Sequence, residues 1–209
     1  EMVEGYISEV FPMAKIQVRG DIYGACLAVL GEKSGFVGIL GTGSSACHYY
    51  TLDFYRVQRS LGWILGDEGS GNHIGKRLII DYFNHEMPQE LSDSFRKEYN
   101  VTYDSVFDHI YDLPHPNAYL AHFAPFAHRN REHPYIKSLL YESFRQYLTH
   151  QIQPMQAKEI HLVGSVAYYF QEEIRHVADS MGISIAGAIL KDPIEGLIYY
   201  YSYWVLRRS

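Results

Sequence analysis

Cysteine is scarce in this chain. Only Cys26 and Cys47 are present, and they form no Cys-x-x-Cys pair. They offer no disulfide framework, and a reduced, cytoplasmic setting is expected. No His-Glu-x-x-His occurs, and His128 and His133 merely stand five apart beside Pro134. No metal ligands are therefore expected. Long apolar runs are missing too. The most apolar stretches, such as Gly35 to Ala46, fall short of the roughly 18 residues that a membrane span needs, and no signal peptide is visible. Positive charge is in deficit, with 18 Lys and Arg against 24 Asp and Glu. That balance argues against a nucleic-acid partner, whose phosphates want a basic face. There is no initiator Met: the chain opens on Glu1 inside a helical pattern, which suggests a fragment. No internal repeat and no low-complexity linker is found.

What remains is an ordinary globular composition, 47% apolar and 20% charged. It is large enough for one sizeable core, or two small ones. Met2, Val3, Tyr6, Ile7 and Val10 are spaced for a helix that ends before Pro12. Residues 14–20 alternate like a strand, and Asp21 opens an Ala-rich helix. Residues 35–40 and 45–52 flank Gly41-Thr42-Gly43-Ser44 as a hairpin with a wide, Gly-rich tip. Residues 53–60 suggest another strand. A helix is expected from about Glu68 to Tyr82. Helical patterns follow over 88–99, 103–111, 118–127 and 134–151. Residues 159–170 read as a buried strand, a Gly-Ser turn and a helix. Residues 182–190 suggest a strand, and 192–208 a closing helix with Pro193 near its start. The alternation points to a mixed α/β fold.

Four places combine a strand end with polar or glycine residues, where α/β folds hold ligands. Asp21 could cap its helix or act as a general base. Gly41 to Ser44 could be a plain hairpin tip, or a turn whose amides hold an anion, helped by the Thr42 and Ser44 hydroxyls. Gly66-Asp67-Glu68-Gly69-Ser70-Gly71 sets two carboxylates between glycines ahead of a helix. Capping explains part of that, and a loop gripping sugar hydroxyls explains more. Gly164-Ser165 closes a buried strand, a place where a nucleotide could lie against the backbone.

Taken together, "GILGTGSSACHY", "SLGWILGDEGSGNHIGKRLI" and the distant "HLVGSVAYYF" resemble the BadF/BadG-type ATPase family, and within it N-acetylglucosamine kinases. The resemblance runs from Asp21 to about Tyr200. It implies an actin-like ATPase fold with ribonuclease-H-like cores, two domains around a cleft, the first incomplete at its N-terminus. Residues 1–33 would be the remainder of that first domain. Residues 34–192 would form the second, with a helical insertion at about 84–150, and 193–209 would be a helix returning to the first. Carried over by position, Asp21 looks like the catalytic base. Gly41, Thr42 and Gly43 look like the second phosphate loop, and Gly164 and Ser165 like the adenosine motif. Ser44, Ser60, Leu61, Gly62, Asp67 and Glu68 look like substrate ligands. Two departures stand out. Trp63 is displaced by two positions from the Gly-Trp-Gly of related kinases, and the family's opening Asp-Gly-Gly-Gly-Thr turn is not found.

The resemblance implies an ATP- and Mg²⁺-dependent kinase acting on an amino-sugar hydroxyl. Its partner would be a small sugar, not nucleic acid or a membrane, and a homodimer is admitted. Two alternatives stay open: an ATPase that activates a redox enzyme, and a sugar or nucleotide sensor without turnover.

Overall fold

A computed structural model describes residues 2–58 and 60–205. Five strands form one mixed sheet: β1 (Gly35–Leu40), β2 (Ser44–Tyr50), β3 (Asp53–Gln58), β4 (Glu159–Val163) and β5 (Ser184–Ile185), in the order β3-β2-β1-β4-β5. β1 pairs antiparallel with β2, and β2 with β3. β1 runs parallel to β4, with Ile39 opposite Val163, and β4 parallel to β5. The carboxyl ends of β1 and β4 therefore lie side by side. The loops that leave them, after Leu40 and after Val163, emerge at one edge. In parallel α/β sheets this edge is where ligands bind.

Alternation along the strands separates two cores. Leu40, Ala46, Ile160 and Leu162 join a large cluster with residues of the helical region. That region holds α4 (Gly71–Phe83), α5 (Gln89–Tyr99), α7 (Pro116–Ala121), α8 (Ala124–Arg129), α9 (Pro134–Tyr147) and α11 (Gln171–Ser180), with the short α3 (Gly62–Leu65), α6 (Tyr103–Phe107) and α10 (Ser165–Tyr169) between them. Val37, Cys47, Tyr49 and Val163 face the other way. They pack with Ala25, Cys26 and Leu27 of α2 (Asp21–Leu30), and with Leu197 of α12 (Pro193–Tyr199) and Tyr200 beyond it. Each fully buried Leu, Ile or Phe in these layers contributes about 1.5–3 kcal/mol.

Several expected elements change. Residues 14–20 form no strand. A strand needs a neighbour for its ladder, and among the described residues none pairs with this segment. α1 (Met2–Val10) forms as expected, yet none of its residues is buried. The expected 182–190 strand shrinks to Ser184–Ile185 and an isolated Val163–Leu190 bridge, because Gly187 takes φ +62° and turns the chain out of extended geometry. The 118–127 pattern divides into α7 and α8, with Pro125 in the first turn of α8, where a missing N–H is tolerated. α4 starts at Gly71 rather than near Glu68, because the Ser70 hydroxyl caps it by accepting from His73 N–H at 3.3 Å. Among the described residues, no helix is long and apolar enough to cross a membrane.

Candidate active site

The turn after β1 is built from backbone. Gly41 N–H donates to Gly43 C=O at 3.0 Å, closing a tight loop. The start of α4 then fastens it. Gly71 N–H donates to Gly41 C=O at 2.8 Å, and Asn72 N–H to Thr42 C=O at 3.1 Å. Among the described residues, the N–H groups of Thr42 and Gly43 have no backbone acceptor, and Thr42 is exposed. Two free amides in succession can take an anion.

The turn after β4 lies against this loop. Gly164 has φ +117°, and a Cβ there would stand 2.3 Å from Leu40 O and 3.2 Å from Gly41 N. Only glycine admits so close an approach. A cavity of about 370 Å³ opens between the two turns. Gly41, Thr42, Gly71 and Ser165 line one part, and Ala121, Ala124, Pro125, His128, Arg129, Val166, Tyr169 and Phe170 the rest. Backbone and hydroxyls at one end and flat or apolar side chains at the other suit a nucleotide, phosphates on the loop and base among the rings.

On the other side of the loop sits Asp67. It is 8% exposed and takes φ +56°, a left-handed conformation that Asp tolerates better than most residues. Strain of this kind, about 1–3 kcal/mol, is commonly stored at functional sites. Asp67 Oδ1 accepts from the Ser60 hydroxyl at 2.5 Å, and Oδ2 from Asn72 Nδ2 at 3.0 Å. Gly43 abuts the same carboxylate: a Cβ there would lie 3.0 Å from Oδ2. Ser60 Oγ also accepts from Gly62 N–H at 3.0 Å. Lys76 Nζ donates to Trp63 and Ile64 C=O at 3.0 and 3.2 Å, holding α3 in place. Burial depresses the Lys76 pKa, while Asp67 and Glu68 oppose that shift.

The structure brings part of the expected set together. Gly41, Thr42 and Ser165 share the cavity, with Gly164 behind it. Gly43, Ser60 and Asp67 touch one another through the Asp67 carboxylate. Ser44 is buried, its hydroxyl unpartnered among the described residues. Leu61 is exposed, and Gly62 takes φ +77° at the start of α3. Glu68 departs from the group, because its Oε1 pairs with His150 Nδ1 at 2.9 Å. Asp21 also stands apart. It is the first residue of α2 rather than its cap, Gly20 taking that place. Among the described residues, its carboxylate hydrogen-bonds only the neighbouring Ile22 N–H, at 2.8 Å.

Two features were missed. The cavity walls from α7 and α8 carry no motif. Asn72 carries a weak one: it is a polar residue in register with Gly75 and Ile79 on the buried face of α4.

His73, in the first turn of α4, gives the fold a pH signature. Burial, reinforced by the charge of Lys76, lowers its pKa from 6.5 to about 4. The folded protein thus holds His73 neutral where the unfolded chain would protonate it. Its contribution is complete above pH 6.5 and is lost as pH falls towards 4. The loss is about 3 kcal/mol. Denaturant titrations at pH 7 and pH 4 check this: His73→Gln should narrow the wild-type stability difference by about that amount.

Among the described residues, no group of three or more His, Cys, Asp or Glu side chains converges on a point.

No family model and no curated protein matches this chain. Solved structures do. One, named "Putative N-acetylglucosamine Kinase" from Porphyromonas gingivalis, superposes with a TM-score of 0.91 at 33% identity, covering 96% of this chain and 71% of that one. A protein of the same name from Chromobacterium violaceum gives 0.66 at 17% identity, covering 95% and 71%. A Listeria monocytogenes protein, "a putative N-acetylmannosamine kinase", gives 0.51 at 14%, covering 99% and 71%. The last two share the fold alone. With a third of its residues identical over nearly its whole length, the chain belongs to the family of the Porphyromonas gingivalis protein, and its mixed α/β fold is of the actin-like ATPase type.

Proposed function

We propose that this chain serves an ATP-dependent kinase of the BadF/BadG type, which phosphorylates a hydroxyl of an amino sugar such as N-acetylglucosamine. One observation carries the reading: Gly41 and Thr42 of the loop, Gly71 at the start of α4 and Ser165 after β4 line a single cavity, with the Asp67 carboxylate held behind the loop. The names of the similar structures agree with it.

In this reading the nucleotide lies in the 370 Å³ cavity with its phosphates at the loop. The free Thr42 and Gly43 amides stabilise charge on the transferring phosphoryl group. Asp67 grips a sugar hydroxyl, its orientation fixed by Ser60 and Asn72. Asp21 takes the proton as the attacking hydroxyl oxygen bonds to the γ-phosphorus. The bond to the β–γ bridging oxygen breaks, and ADP leaves. Little covalent help is required, so positioning and electrostatics dominate. Mg²⁺ normally accompanies ATP and would be held largely by the phosphates and water, with few protein ligands.

The redox-activator alternative fits less well. Cys26 and Cys47 are fully buried with their sulfurs 3.3 Å apart, inside the core between α2 and β2. Mass spectrometry of a reaction with ATP and N-acetylglucosamine should detect a sugar monophosphate. Free phosphate without phosphorylated sugar would reject the kinase reading.

A further inference from the structure

Asn72 is fully buried at the first turn of α4, between the loop and the acidic residue. Its Nδ2 donates to Thr42 C=O at 2.7 Å and to Asp67 Oδ2 at 3.0 Å. Its backbone N–H donates to the same Thr42 C=O at 3.1 Å. Both side-chain contacts are to oxygens that can only accept, so the amide orientation is determined: flipped, it would set oxygen against two oxygens. Among the described residues its own Oδ1 is buried without a partner. That orphan costs stability, which an apolar residue would avoid. Thr42 C=O would keep the backbone donor, and Asp67 would keep Ser60, if the side chain were removed. Stability therefore does not account for this residue well.

We infer that Asn72 is a positioning residue that couples the two substrate subsites. The inference rests on the kinase reading, with phosphate at the 41–44 loop and a sugar hydroxyl at Asp67. One amide group holds both. A sugar that fixes Asp67 therefore fixes the Thr42 carbonyl and with it the Thr42–Gly43 amides. By linkage the reverse follows: a nucleotide on the loop must strengthen sugar binding by the same factor. Gly43, packed against the Asp67 carboxylate, leaves the loop little room to move independently.

Calorimetric titration of N-acetylglucosamine, with and without a non-hydrolysable ATP analogue, measures the coupling. In the wild type the analogue should tighten sugar binding at least about 5-fold. In Asn72→Ala that factor should fall to near one, whatever affinity each ligand alone retains. Ser60→Ala is the control. It should weaken sugar binding yet keep the factor, because it touches Asp67 but not the loop. A wild-type factor of one, or an Asn72→Ala factor equal to that of wild type, overturns the inference while leaving the kinase reading standing. Failure of the wild type to bind either ligand alone overturns the kinase reading, and this inference with it. If Asn72→Ala does not fold, hydrogen exchange of the wild type decides. Sugar alone should slow exchange at the Gly71 and Asn72 amides that bond the loop; unchanged exchange there overturns the inference.

Discussion

Asp21→Asn should lower turnover by about 10²–10⁴-fold, the usual worth of a positioned general base. Amino-sugar affinity should change little. Asparagine keeps the size and the acceptor that Ile22 N–H uses at the start of α2, so the fold should not suffer. It cannot take a proton from an attacking hydroxyl. Asp21 is exposed and makes no other hydrogen bond among the described residues, so its carboxylate is spare for such a role. The test is steady-state kinetics beside sugar titration. A fall in kcat with an unchanged sugar Kd supports the assignment. Full activity would remove Asp21 from the mechanism, and loss of binding and activity together would make it a ligand rather than a base.

Gly164→Ala should be a damaging substitution beside the cavity. The added Cβ would meet Leu40 O at 2.3 Å and Leu40 C at 2.7 Å, backbone atoms that cannot rotate away. The φ of +117° is also one that alanine rarely adopts. Backbone strain and overpacking each cost about 1–3 kcal/mol. Together they come to about 2–6 kcal/mol, and at roughly 2–4 °C per kcal/mol for a chain of this size Tm should fall by about 4–24 °C. Relief requires the β4–α10 turn to retreat from the β1 loop, which widens the cavity on its phosphate side. Nucleotide affinity should therefore fall more than sugar affinity. An unchanged Tm would mean that the two turns are less closely packed than described.

The parts legible in the sequence were those with local causes. The 35–50 hairpin declares itself through alternation around a Gly-rich tip, and its two faces do separate into two cores. The buried run before Gly164 reads as a strand because both of its faces are covered. Residues 14–20 alternate just as well, but alternation specifies a strand only where a neighbour exists to pair with it. Residues 182–190 mislead because Gly187 bends an otherwise β-like run. At the site, glycines and carboxylates marked the loops. The walls from Ala121 to Arg129 reach the cavity through tertiary packing, which no short motif encodes. Glu68 looked equal to Asp67 in sequence. One residue of separation sends the two carboxylates to different partners, Asp67 to Ser60 and Asn72, and Glu68 to His150.

If the loop after β1 and the Asp67 cluster serve one phosphoryl transfer, ADP release must depend on the amino sugar. Measured without N-acetylglucosamine, release should be slow; with the sugar it should rise markedly, with one sugar phosphate formed per ADP. Release that ignores the sugar, or no release at all, would mean that the loop and the Asp67 cluster do not act together.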